Sequence, residues 1–174
     1  FLMKKIFIIL SIYILHANFA IANTTIAFID MDKIISTSKP GSFILSQLND
    51  VNLKNSTNLE NDAKKLKKQE TELMSQKKIL SEIDFKANVN KLKLEFNNFN
   101  ANRDKISKDF NNLRIKNINK LMKLINPILI NYSNDNSISM ILKKKDLVIG
   151  KSELDITDEI IIIINRDIKQ FKIK

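Results

Sequence analysis

Residues able to do acid–base, nucleophilic or metal chemistry are few in this chain and widely spaced. His16 is the sole histidine and there is no cysteine. The commonest general base, the thiolate nucleophile and most transition-metal ligand sets are therefore missing. What remains is carboxylates and amines. Asp30-x-Asp32 sets two carboxylates after the apolar run "TTIAFI", a spacing that could hold a divalent cation or serve phosphoryl transfer. The same spacing suits a strand end followed by a helix cap. No Gly-rich phosphate loop or nucleophile–base arrangement accompanies it, so we read the pair as capping residues. Asp155 and Asp158 stand at the opening of an apolar segment, where acids favour a helix N-terminus, and are read the same way. No catalytic residue, metal ligand or cofactor site is expected, and the chain is not read as an enzyme.

The amines are more numerous. The chain has 174 residues, 29 basic and 19 acidic, for a net charge of +10. Lys64-Lys65, Lys67-Lys68 and Lys77-Lys78 form three doublets among Glu60, Asp62, Glu70 and Glu72. Pairs such as Glu60 and Lys64, four apart, suit a solvated helix face. The same doublets could line a surface that attracts acidic unfolded chains or anionic lipid. Lysine, isoleucine and asparagine are all abundant, as an AT-rich coding sequence would give, so net charge alone does not choose between these readings. No groove-reading motif is present, and nucleic acid is not expected as a partner.

These groups must be positioned by the elements around them. At the N-terminus, Lys4-Lys5, the apolar run of residues 6–15 and Ala20-Ile21-Ala22 have the order of a secretory signal peptide cleaved after Ala22. The apolar run is short for a membrane span of about 20 residues. Removing residues 1–22 takes away two lysines and no acid, leaving +8, and it also removes His16. "TTIAFID" then reads as a strand and "MDKIISTS" as a short helix, broken at Lys39-Pro40-Gly41.

Residues 42–130 contain no glycine and one proline, the composition of long helices. Leu45, Leu59, Leu66, Leu73 and Leu80 share one seven-residue register. Phe85, Leu92, Phe99, Ile106 and Leu113 share another, joined by Val89, Phe96, Phe110 and Leu124, with polar interruptions at Arg103 and Asn117. The registers mirror each other: Leu80 faces Phe85, Leu73 faces Leu92, Leu66 faces Phe99 and Leu59 faces Ile106. Ser81 and Asp84 make a capping box. The pattern predicts an antiparallel helical hairpin turning near residues 80–84, with arms of roughly 40 residues and about 60 Å.

Beyond it, "LMKLINPILINYS" reads as a helix kinked at Pro127, and "SISMILKK" and "DLVIG" as a two-stranded hairpin. The five isoleucines at 160–164 are read as a short helix over residues 158–165. Three short strands and one short apolar helix cannot close a core, so self-association is expected. The resulting fold class is α+β, mostly α. A small β body comprises residues 23–41 and 131–174, and a helical hairpin projects from it; Ile26, Phe28, Ile141, Val148 and Ile162 are the expected assembly residues.

This order of elements resembles the OmpH-like (Skp) family of periplasmic chaperones. The matching stretches are "IAFIDMDKII", the hairpin with "ILSEIDF" at its tip, "INPILINYS", and "ISMILKKKDLVIGKSELDIT". The resemblance implies a periplasmic homotrimer in which a β body joins three helical tentacles. These enclose unfolded outer-membrane proteins without ATP and without catalytic residues or cofactors. Anionic lipid or lipopolysaccharide would be a further partner of the lysines. The many asparagines of the arms depart from a densely charged tentacle. A docking rod of the cell envelope, binding one folded partner, is the alternative from another class.

Overall fold

The computed structural model describes residues 25–174; the expected signal peptide and its cleavage point lie outside the described residues. β1 (Thr25–Ile29) leads into α1 (Met31–Thr37), followed by α2 (Lys39–Ser75), a 3-10 turn (Gln76–Lys78) and α3 (Glu82–Asp135). Then come β2 (Ile138–Lys143), 3-10 turns at Lys144–Asp146 and Ser152–Leu154, and α4 (Thr157–Asp167). The result is a long helical hairpin rising from a small mixed base, the expected fold class.

β1 and β2 pair in parallel, with Ile26 opposite Met140 and Ile29 opposite Lys143. Parallel neighbours need a crossover connection. Here that crossover is α1 together with the whole hairpin. This corrects the expected two-stranded hairpin: "SISMILKK" supplies a strand, whereas "DLVIG" forms none. Leu147–Ile149 pairs with no strand, and Leu147 N donates to Lys144 O at 3.1 Å. The segment instead lays Gly150 on Phe28, where a Cβ would come within 2.8 Å of the ring. Val148, expected in a strand of the body, is fully exposed in this chain at 104%. β1 also bridges Asp155 through Phe28, so it is the central strand. Alternation then turns Ala27 and Ile29 into the core and Phe28 towards the loop.

The second correction concerns Lys39-Pro40-Gly41. These residues do not interrupt structure; they open α2. Ser38, fully buried, is the single residue between α1 and α2, and its Oγ accepts a hydrogen bond from Gly41 N at 3.3 Å. Proline is tolerated in a first turn because its missing N–H has no intrahelical use there. Gly41 is needed because a Cβ would lie 2.1 Å from the Ile35 carbonyl oxygen. Asn165 of α4 completes the start by accepting from Lys39 N at 2.6 Å.

The tip begins its second arm as expected: Ser81 Oγ accepts from Asp84 N at 3.1 Å and donates to Asp84 Oδ2 at 2.6 Å. α3 runs unbroken through Pro127. Pro127 and Lys123 are both exposed, so the Lys123 carbonyl that loses its partner can face water. After Asp135 the chain reverses through Ser137, whose φ of 53° is in the left-handed region.

The core lies at the root of the hairpin. Ile34, Ile44, Leu121, Ile125, Ile160 and Ile164 are fully buried there. The isoleucine run is thereby resolved by helical spacing. Ile160 and Ile164, four apart, enter the core, whereas Ile162 is 68% exposed. Above the root, Leu66, at 7% exposure, is the one buried apolar residue of the arms.

Asp155-Ile156-Thr157 fastens this root. Thr157 Oγ1 accepts from Asp30 N at 2.9 Å, Asp155 Oδ1 accepts from Thr157 N at 3.1 Å and from the Thr157 hydroxyl, and Ile156 N donates to Phe28 O at 3.1 Å. Lys144 Nζ meets Asp155 Oδ2 at 3.0 Å. Replacing Thr157 by Val leaves the part-buried Asp30 N–H without its acceptor. It should cost about 2 kcal/mol, read as a fall of ~4–8 °C in melting temperature by circular dichroism.

A pH prediction follows from the same group. Burial pushes the Asp155 carboxyl up, but the bonds from Thr157 and Lys144 outweigh it and leave it below its ordinary 3.8. A depressed carboxylate contributes stability that is complete above its unfolded value and is lost as pH falls through the folded one. Asp155→Asn should therefore be less stable than the parent at neutral pH, and the two melting curves should converge as pH falls below about 4.

Candidate functional site

The arms are the candidate binding surface. Two helices alone can cover each other on one face only, so their seam remains partly open along most of its length. Leu59, Leu73, Leu80, Phe85, Leu92, Phe99 and Ile106 are half-buried. Leu73 and Leu92 line one cleft of about 230 Å³, and Leu66 and Phe99 line another of about 290 Å³. The Leu73–Leu92 and Leu66–Phe99 pairings are thus placed as expected. Gln69 sits between the two clefts, and its Oε1 is buried without a partner among the described residues. Leu53, Met74, Leu94 and Ile115 are exposed on the arms, and Ile79 and Ile83 are more than 80% exposed at the tip.

The six lysines separate into two kinds. Lys64 pairs with Glu60 at 2.6 Å and Lys68 with Glu72 at 3.7 Å, both four apart along α2. Lys64 holds the Glu60 carboxyl below its ordinary value, first through their hydrogen bond and then through charge. Exposed pairs of this kind add little stability. Lys65, Lys67, Lys77 and Lys78 make no ion pair among the described residues and are exposed. Helical spacing puts Lys64 and Lys68 on the side of α2 opposite Leu59, Leu66 and Leu73, with Lys67 on the flank, about 100° round from Leu66. Lys65 lines the Leu66–Phe99 cleft beside Asp62. The lysines therefore form no single pocket; they charge the outer face and one cleft rim.

The expected assembly residues also divide. Phe28 is 6% exposed beneath Gly150 and belongs to the interior of this chain. Ile141 is half-buried, and Ile26, Val148 and Ile162 are exposed. Ile130 and Met140, also exposed, flank a shallow cleft between α3 and β2 that Ile141 completes. Of the carboxylates read as caps, Asp30 is one; α4 has Ile156 at its N-cap with no side-chain cap bond, so Asp158 does not cap it. Asp30 Oδ1 accepts from Lys33 N at 2.9 Å, opening α1, and Asp158 pairs with Lys33 at 2.6 Å. No cluster of three potential metal ligands occurs among the described residues.

Sequence reasoning missed the segment after α4. Residues 168–174 cross both arms at the root, with Ile168, Phe171 and Ile173 packed on the core. Gln47 of α2 and Asn117 of α3 hold its backbone. Asn117, 2% exposed, had the look of a mere interruption of the seam. The signal that could have found the site is an amide at a seam position together with apolar residues at alternate places, Phe171 and Ile173.

Comparisons with known proteins agree with this geometry. No curated protein matches the chain at a significant level of sequence similarity. A crystal structure from Caulobacter crescentus CB15, described as that of a candidate OmpH-like outer membrane chaperone, superimposes with a TM-score of 0.76. The two share 13% identity over 86% of this chain and 88% of the other, a likeness of fold. The outer membrane protein (OmpH-like) family matches residues 25–163, nearly everything from β1 to the middle of α4, and the chain belongs to that family.

Proposed function

We propose that this protein is a periplasmic holdase chaperone that binds unfolded outer-membrane proteins between helical arms, without nucleotide and without catalysis. The observation that carries the reading is the disproportion between root and arms. A core of a few isoleucines and leucines supports α2 and α3, of 37 and 54 residues, or about 55 and 80 Å at the helical rise. Such arms stabilise nothing beyond themselves. Their half-open apolar seam, exposed leucines and lysine-rich faces give an extended polypeptide both apolar and charged contacts without demanding a sequence. Family membership and the described role of the Caulobacter relative support the same reading. The lysines also suit anionic headgroups of lipid or lipopolysaccharide.

A homotrimer is part of the proposal. The sheet has two strands, so β2 keeps an unpaired edge. Ile26, Ile130, Met140, Val148, Ile149 and Ile162 are exposed around the root. Burying these against other copies would close the body and set several arms around one space. Ile162 makes a clean test, because its exposure means that a charge there costs a single chain little. Ile162→Asp should stay helical by circular dichroism but run as a monomer in light scattering, since a buried unpaired carboxylate costs several kcal/mol at an interface. A stable monomer in the unmodified protein would overturn the assembly.

The activity is tested on the arms. Deleting residues 63–102 and bridging with a short turn keeps Leu59 opposite Ile106 and leaves the root untouched, while removing Lys64, Lys65, Lys67, Lys68, Lys77 and Lys78. The intact protein should suppress aggregation of a urea-unfolded outer-membrane protein on dilution, with protection weakening as salt screens exposed charge beyond about 8–10 Å. The shortened protein should assemble and fail to protect. Full protection by it, or stoichiometric capture of one folded envelope protein instead of many unfolded ones, would point to a docking rod.

A further inference from the structure

The closing segment is held in a way that ordinary packing does not require. Gln47 Nε2 donates to Phe171 O at 3.2 Å and Gln47 Oε1 accepts from Ile173 N at 3.2 Å. One side-chain amide thus bonds the residues on either side of Lys172, as one residue does in a parallel ladder. Asn117 exchanges both bonds with one residue: its Nδ2 donates to Lys174 O at 3.5 Å and its Oδ1 accepts from Lys174 N at 3.4 Å. That is the pattern of a hydrogen-bonded antiparallel pair. Two helices here imitate sheet edges.

Both amides are aimed beforehand by their own helices. Gln47 Nε2 also donates to Phe43 O at 3.1 Å, and Asn117 Nδ2 to Leu113 O at 2.7 Å. Each spends one N–H on the carbonyl four residues back and presents the other, with its oxygen, to the segment. Asn117 is 2% exposed with the segment in place, so any chain lying there must satisfy its amide or leave it unpaired, at a cost comparable to a lost hydrogen bond. Phe171 and Ile173 supply the apolar face, Lys120 Nζ lies 4.1 Å from the Phe171 ring centroid, and Lys172 and Lys174 face solvent. Main-chain bonds plus alternating apolar contacts accept many sequences, the logic of strand addition. The segment also lies beyond residues 25–163, the part of the chain that the family shares.

We propose that the hairpin root is a docking site for an extended amphipathic polypeptide, and that residues 168–174 occupy it in cis until a strand of an unfolded client displaces them. The site fits a segment with apolar residues at alternate positions, the pattern of a membrane-barrel strand. This part rests on the chaperone reading; the existence of the site does not.

The test has two arms. In the first, a fluorescent peptide of residues 166–174 is titrated by anisotropy into the full chain and into a variant ending at Asp167. The shortened variant should bind at least tenfold more tightly, because the full chain competes with itself. N-methylation of the peptide's residue corresponding to Ile173 should abolish binding, as should Gln47→Met in the shortened variant. Absence of binding to a helical, assembled shortened variant would overturn the site. The second arm keeps the full chain and therefore does not depend on that variant's folding. A spin label on Lys172→Cys reports the mobility of the segment. Adding the unlabelled peptide, or an unfolded outer-membrane protein, should mobilise it saturably. Unchanged mobility with the peptide would overturn the site. Unchanged mobility while an unfolded client is demonstrably bound would overturn the displacement. If no client binds at all, the chaperone reading fails and the peptide alone decides the site.

Discussion

Three stretches far apart in sequence converge on the carboxylate and hydroxyl of Asp155 and Thr157. The end of β1, the lysine after β2 and the first turn of α4 are all bonded there. A parallel pair separated by a long crossover has no turn to fix its register, so something else must. The bond from Asp30 N to Thr157 and the bond from Ile156 N to Phe28 do so by pinning α4 against the exit of β1. Ile160 and Ile164 can then enter the same core as Ile34 and Ile44. Removing the pin would leave the isoleucine helix with no fixed direction from which to fill that core.

The same economy explains the thin arms. Once the root is closed, α2 and α3 need only each other, and one leucine or phenylalanine per heptad keeps them paired. No third helix covers the seam, so the residues that hold the arms together are the ones left partly open to a visitor. In the proposed role, stability and binding would draw on one apolar strip, and the Gln69 oxygen, without a partner among the described residues, lies along it.

The hairpin was legible because its information is local and repeated. Leucines and phenylalanines every seven residues announce two registers, and Ser81 with Asp84 marks the start of the second arm. The capping reading of Asp30 rested on adjacency alone and matches its bond to Lys33 N. What was not legible depends on partners distant in sequence. Lys39-Pro40-Gly41 reads as a break by propensity, yet only glycine fits so close to the Ile35 carbonyl. "DLVIG" has the composition of a strand, but strand propensity is largely a fit to neighbours, and within this chain the segment lies against Phe28 and pairs with no strand. The roles of Gln47 and Asn117 went unread for the same reason, since an amide on a helix points to an extended chain only when set beside the alternation of Phe171 and Ile173 far along the sequence.

Both ends of the hairpin are seated within the body, α2 at Ser38 and α3 where it turns towards β2. Mechanically, this makes the arm a lever with a short, stiff clamp and a long, compliant beam. A tilt of about 10° at the root, well within what a few side-chain rearrangements allow, carries a tip about 55 Å away through ~10 Å. If copies assemble at one hub, as proposed, the space between their arms would change far more than the position of their roots. The width of the mouth becomes a matter of angle at the hub, and the length of the beam sets how finely small angles are read out.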